Sequence, residues 1–599
     1  MLSRYPTRTA RRLVPALLLA VVLIVIPSPA QSPVRSAPAQ VATLPVSELS
    51  KGMTGIGRTV FAGTTPEDFN VEILGVLTGA GYLGDLILIR VSGPAIERAG
   101  GIAAGMSGSP VYIGGKLVGA IAYVFPGSDH FVGMVTPIAD MMRVLSYPER
   151  VQTVSRLPAG AAAATPVLVS GVFGRAYTRL EASLASLGLK AVPAGGGAPS
   201  VSAKVASGPL VPGSSIGVQL ARGDIELTAV GTVTYVDGGR FLAFGHPFLG
   251  TGQVELFACS AYVHGTIKSD NTPFKMATPG QPVGTVTQDR LNAIAGRFGK
   301  DTAAIPATVQ VIDSETGREK KVSTLIAPEE SLIADIFGAA ALAALDGSIE
   351  RIGPGTATTS LKIDLSGRPS FERSNVFFSR RDVSAASVWE SIGIIAVISE
   401  NASERARIDK VHLTVEVEPA RKTALIEQAR VVQESVKPGE PVDVEVTLRT
   451  YRGARVTKVL RLDVPADVPG GELSLCVRGG GFFLDDEGLK PGAMGFEELI
   501  YMDLDDLFEE LSARDCNNEL VVELEPYLAE EPDIKPQEPQ ARRDGQAQRS
   551  PKEAAPPEHG SEPAAPECPK AKAVTDWVIE GIKWVTVNIE APEDDYSPV

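Results

Sequence analysis

Gly105-Met106-Ser107-Gly108-Ser109-Pro110 sets a serine among small residues, just ahead of the apolar run Val111-Tyr112-Ile113. Glycine beside serine lets the backbone turn sharply and keeps the hydroxyl approachable. It also frees nearby N–H groups to face a developing oxyanion, as acyl transfer by a serine requires. A tight hairpin turn has the same composition, so the chemistry needs a second group to support it. Ser109 is the alternative hydroxyl, but Pro110 follows it directly and offers no N–H. Ser107 is the preferred nucleophile.

A serine nucleophile needs a base, and the chain has 5 histidines. His559 lies in a Pro-rich acidic stretch, His412 in the middle of a strand pattern, and His130 after Gly127-Ser128-Asp129 in a loop. His264 closes an apolar strand. His246 alone sits between a glycine and a proline, in Phe244-Gly245-His246-Pro247-Phe248, where a strand ends. Such a junction fixes the ring and leaves it reachable, as a general base requires. Asp289, in Thr287-Gln288-Asp289-Arg290, is the candidate for orienting the imidazole, with Asp85 and Asp224 as rivals. An aspartate beside an arginine is also a common helix cap or surface pair.

These residues need a scaffold that brings distant segments together. Val/Ile/Thr runs broken by 60 glycines and 45 prolines predict a mostly β chain of many short strands. At 599 residues it exceeds one core and predicts several domains. A serine-bearing β block spans 46–149 and a histidine-bearing β block 165–327. A helical connector and mixed segment fill 328–407, and a C-terminal β domain fills 408–525. In the first block, Thr136-Pro137 reads as the capped start of a short helix. In the last, 442–448 alternates as a strand with one buried face. Residues 526–570 read as a disordered Pro-rich acidic linker and 571–599 as a terminal segment. No internal repeat is visible.

Arg4, Arg8, Arg11 and Arg12 precede an apolar run from 13 to 26 and then Pro27-Ser28-Pro29-Ala30. That order predicts a secretory signal peptide over 1–30, followed by a linker to 45. The expected location is therefore exported: periplasmic, extracellular or associated with the cell envelope. No later segment reads as apolar enough to span a bilayer, so membrane contact is expected only if the N-terminal segment stays uncleaved. The formal net charge of −15 argues against nucleic acid as a partner. Cys259, Cys476, Cys516 and Cys568 form no CxxC pair, so neither a metal site nor any other cofactor is expected. A Cys476–Cys516 disulfide is compatible with an oxidising compartment. The glycine spacing of 52–57 is not that of a dinucleotide-binding turn.

The serine box, the preceding Gly100-Gly101-Ile102, the stretch Gly115-Lys116-Leu117-Val118-Gly119-Ala120 and the histidine box together resemble the SpoIVB-type serine peptidases. The resemblance runs over about residues 45–300. It implies a two-block chymotrypsin-like β-barrel peptidase region, followed by a β-sandwich-like C-terminal domain and the acidic tail. It further implies Ser107 as nucleophile, His246 as general base, and the Gly105 and Ser107 N–H groups as the oxyanion hole. The substrates would be proteins, and the C-terminal domain is expected to serve envelope partners. In the family the histidine precedes the serine, whereas here it follows. A catalytically inactive envelope-binding scaffold that keeps the fold is the alternative. The two readings separate on whether Ser107 and His246 converge.

Overall fold

Alternating apolar residues between Thr54 and Pro137 close the first part of the chain on itself. The computed structural model describes residues 41–79, 84–125, 127–148, 165–194, 209–480, 496–524 and 569–590. The expected signal peptide, most of its linker, nearly all of the acidic linker and the last nine residues lie outside them. The six strands are β1 (Thr54–Thr59), β2 (Glu67–Leu77), β3 (Leu86–Ser92), β4 (Pro110–Ile113), β5 (Lys116–Val124) and β6 (Val132–Pro137). They form a closed barrel in the order β1-β2-β3-β6-β5-β4. Phe69, Val71 and Ile73 of β2 alternate inward against Ile87, Ile89 and Val91 of β3. That period of two is what one buried sheet face requires.

Two further strands, β7 (Pro166–Ser170) and β8 (Lys190–Pro193), flank a helix, Gly174–Ser186. They lead into β9 (Ser215–Gly223), β10 (Glu226–Asp237), β11 (Arg240–Ala243), β12 (Gly252–Ile267), β13 (Phe274–Arg290) and β14 (Ala293–Phe298). β9 pairs with both β10 and β12, so these six strands also close a ring, in the order β9-β10-β11-β14-β13-β12. Counted within its own barrel, each ring therefore runs first, second, third, sixth, fifth, fourth. Two barrels of one topology, without visible sequence repetition, make up the chymotrypsin-like pair.

The sheet of the second barrel continues outward from β9 through the strands Arg318–Ile326, Ile305–Asp313, Ile408–Glu418, Gly355–Leu365 and Phe371–Ser379. Helices Glu330–Ile349 and Val383–Ser399 pack against this extension and each other. The strand Ile408–Glu418 thus belongs to the large sheet, bonded in parallel to Ile305–Asp313. This corrects the expected domain boundary at 408: the C-terminal domain begins near Thr423. Alternation marks such a strand in sequence but does not name its neighbours. Glu330–Ile349 corrects a second expectation, since it has the length and hydropathy of a membrane span; 78% of its apolar window is buried inside the protein.

The C-terminal domain is a sandwich of a four-stranded and a five-stranded sheet around one apolar core. The terminal segment supplies strands to both, at Val578–Glu580 and Ile582–Ile589. Cys476 and Cys516 are not joined to one another, so the expected disulfide between them is not formed. Cys568 lies outside the described residues.

Candidate active site

Ser107 lies in the connection between β3 and β4, the third and fourth strands of the first barrel. His246 lies between β11 and β12, the third and fourth strands of the second. Because the barrels share one topology, the two residues occupy equivalent connections.

Both residues line one cavity of about 430 Å³. No hydrogen bond joins the Ser107 hydroxyl to the His246 ring in this structure. Hydrogen bonds of this kind are often long in unliganded enzymes and tighten on substrate binding. The N–H groups of Met106, Gly108 and Ser109 donate to the carbonyls of Ala103, Ile121 and Met106. Among the described residues, none accepts from the N–H of Gly105 or Ser107, the two groups expected to form an oxyanion hole. Ser109 is fully buried, and its hydroxyl donates to the Met106 carbonyl at 2.6 Å. That internal bond makes it a structural member of the turn.

The His246 ring is fixed by its own backbone. Nδ1 lies 2.7 Å from the Pro247 carbonyl, which can only accept, so Nδ1 carries the proton and Nε2 is left with its lone pair. Burial pushes the imidazole below its ordinary value of 6.5 and favours this neutral form. The chain reaches His246 through Phe244 at φ 70° and Gly245 at φ 72°. A left-handed phenylalanine is strained, and full burial of its ring against Gly231 holds it there.

Asp289 has a different place from the one expected. Its carboxylate accepts from the N–H groups of Phe248, Leu249 and Gly250 at 2.8, 2.6 and 2.8 Å. It shapes the loop that follows His246, while the Pro247 carbonyl accepts the hydrogen bond from the ring Nδ1–H. Burial pushes its carboxyl upward against the pull of these three donors. Of the rivals, Asp85 accepts from Gly79 N–H and Asp224 from Ser323 N–H, each tying its own loop.

Several polar residues not anticipated from sequence hold the two barrels together at this point. On β10, Thr232 N–H donates to the Ser107 carbonyl (2.8 Å) and its hydroxyl to the Gly105 carbonyl (3.0 Å). Thr234 donates to the Gly108 carbonyl at 2.7 Å. In return, Thr136 of the first barrel donates to the Gly245 carbonyl at 2.7 Å. The helix Ile138–Val144 starts after Pro137 without a side-chain cap, so Thr136 is a clamp on the histidine connection and not the expected helix cap. Beneath them Lys275 is 3% exposed, with Nζ 2.9 Å from the Thr59 hydroxyl and 3.5 Å from those of Ser215 and Thr232.

Gly108 explains one letter of the serine box. A Cβ there would come within 2.0 Å of the Thr232 carbonyl oxygen and 2.5 Å of the Phe244 nitrogen, at φ +93°. Both obstacles are backbone of the other barrel, so neither can swing aside. Gly108→Ala is expected to cost about 4 kcal/mol or more. Loss of soluble protein, or an early unfolding transition in calorimetry, would report it.

Residues 27–142 match the family model of the SpoIVB peptidase S55 family. The match takes in the first barrel with the serine turn and ends before His246 and Asp289. At the family level, what the match supports is a likeness of this region to the SpoIVB serine peptidases. No curated protein and no solved structure matches the chain.

Proposed function

We propose that this protein is an exported serine endopeptidase acting by Ser/His acyl transfer. Ser107 Oγ attacks a peptide carbonyl while His246 Nε2 takes its proton and then delivers it to the leaving amine. Water, activated by the same nitrogen, releases the acyl group. The N–H groups of Gly105 and Ser107 stabilise the oxyanion, each such donor being worth about 2.7–4 kcal/mol in a transition state. Asp289 holds the loop behind the histidine. Substrates are proteins, and the C-terminal sandwich is assigned to envelope partners.

The observation that carries this reading is the meeting of two equivalent barrel connections, one with Ser107 and one with a neutral-held His246, on a single cavity. A fluorophosphonate probe with peptide mapping tests it. Labelling is expected at Ser107, lost in Ser107→Ala and kept in Ser109→Ala. Absence of label, or label placed elsewhere, would favour the second reading: an inactive cell-envelope scaffold. The lack of a Ser107–His246 hydrogen bond is what speaks for that alternative.

A further inference from the structure

The cavity beside Ser107 carries information about what the site accepts. Its walls come from four places. Ile102 and Ala104 precede the serine turn, Ile121 and Val124 lie on β5, and Phe274 opens β13. The fourth wall is β8, from Lys190 to Pro193. Among the described residues, Lys190 is its one ionisable lining residue apart from His246, and no aspartate or glutamate lines it.

We propose that this cavity makes the site selective for polypeptides bearing an uncharged apolar residue beside the scissile bond; the inference rests on the peptidase reading above. An apolar side chain entering it gains roughly 25 cal/mol for each Å² removed from water. A lysine or arginine would lose its hydration with no carboxylate to meet it, and Lys190 would repel it. An aspartate or glutamate would be drawn only as far as Lys190 at the rim, where an exposed pair contributes little. The volume of about 430 Å³ lies within the range of ligand-binding clefts.

The backbone arrangement agrees with an extended substrate. β8 is the last strand of its sheet, and among the described residues it pairs only with β7, in parallel. Its other edge can take an added strand, the common way for a sheet to hold an extended peptide. A chain laid along it places one side chain in the apolar space between β8 and the serine turn.

The test is a library of internally quenched peptides, varied at the two positions flanking the cleaved bond and read with the full-length protein. At one of these positions, Leu, Val, Ile or Phe is expected to exceed Lys, Arg, Asp and Glu by at least about tenfold in kcat/KM, the scale on which apolar sites discriminate. In Ala104→Asp, a half-buried wall position receives a carboxylate. The rate for Lys and Arg peptides relative to Leu peptides should then rise at least about tenfold. Cleavage that depends on Ser107 but is indifferent to the flanking residue, or prefers a charged one, overturns this inference and leaves the peptidase reading standing. Absence of Ser107-dependent cleavage from every member overturns both.

Discussion

His246→Ala should lower kcat/KM for a cleavable peptide by about 10⁴- to 10⁶-fold, nearly as far as Ser107→Ala, and the double variant should fall no further. The two residues act in one step: without the base the serine keeps its proton, and without the serine the base has nothing to activate. Losses that multiplied in the double variant would mean two independent contributions and would sink the dyad. The pH profile gives a second reading of the same ring. The base works only when neutral, and burial holds its pKa below the ordinary 6.5. Activity is therefore expected to persist below pH 6.5 before it falls with protonation. An acidic limb displaced above that value would require a group other than this buried imidazole.

What the sequence revealed of this site follows from how local each feature is. The serine box was legible because its glycines answer local needs: Gly105 and Gly108 both have positive φ, and Gly108 also admits the other barrel's backbone. His246 was legible because glycine and proline fix it on either side. The clamps were not. Thr232 and Thr234 look like ordinary strand threonines, and nothing in β10 says that their hydroxyls meet the carbonyls of a turn more than a hundred residues earlier. Asp289 was recognisable as a carboxylate near the histidine in sequence, but its partners are backbone N–H groups, which every residue but proline carries and no pattern marks. The barrels share their topology without sharing sequence, because ring closure depends on strand pairing and alternation, which many residue sets satisfy.

Lys275 was the least legible, and it supplies the other large expected effect. In Phe274-Lys275-Met276-Ala277 an alternating strand would turn the lysine to solvent beside Ala277 and bury Phe274 and Met276. The structure does the reverse and encloses Lys275 between the barrels. Its neighbours there are hydroxyls, and among the described residues no ion pair reaches it. Burial alone pushes the ammonium down to about 7 from 10.5. Between these values the unfolded chain binds a proton that the folded chain does not, so folding stability rises with pH across that window. The slope for one proton is about 1.4 kcal/mol per pH unit. Below pH 7 both states are protonated and the full penalty persists. Denaturant unfolding of the intact protein at pH 7, 8 and 9 should show this rise, and Lys275→Met should flatten it. The same variant should be more stable than the wild type by a few kcal/mol at pH 6, since the methionine fills the space without a charge. An unchanged pH dependence in Lys275→Met would mean that the lysine reaches water or an anion in solution and that the barrels do not enclose it.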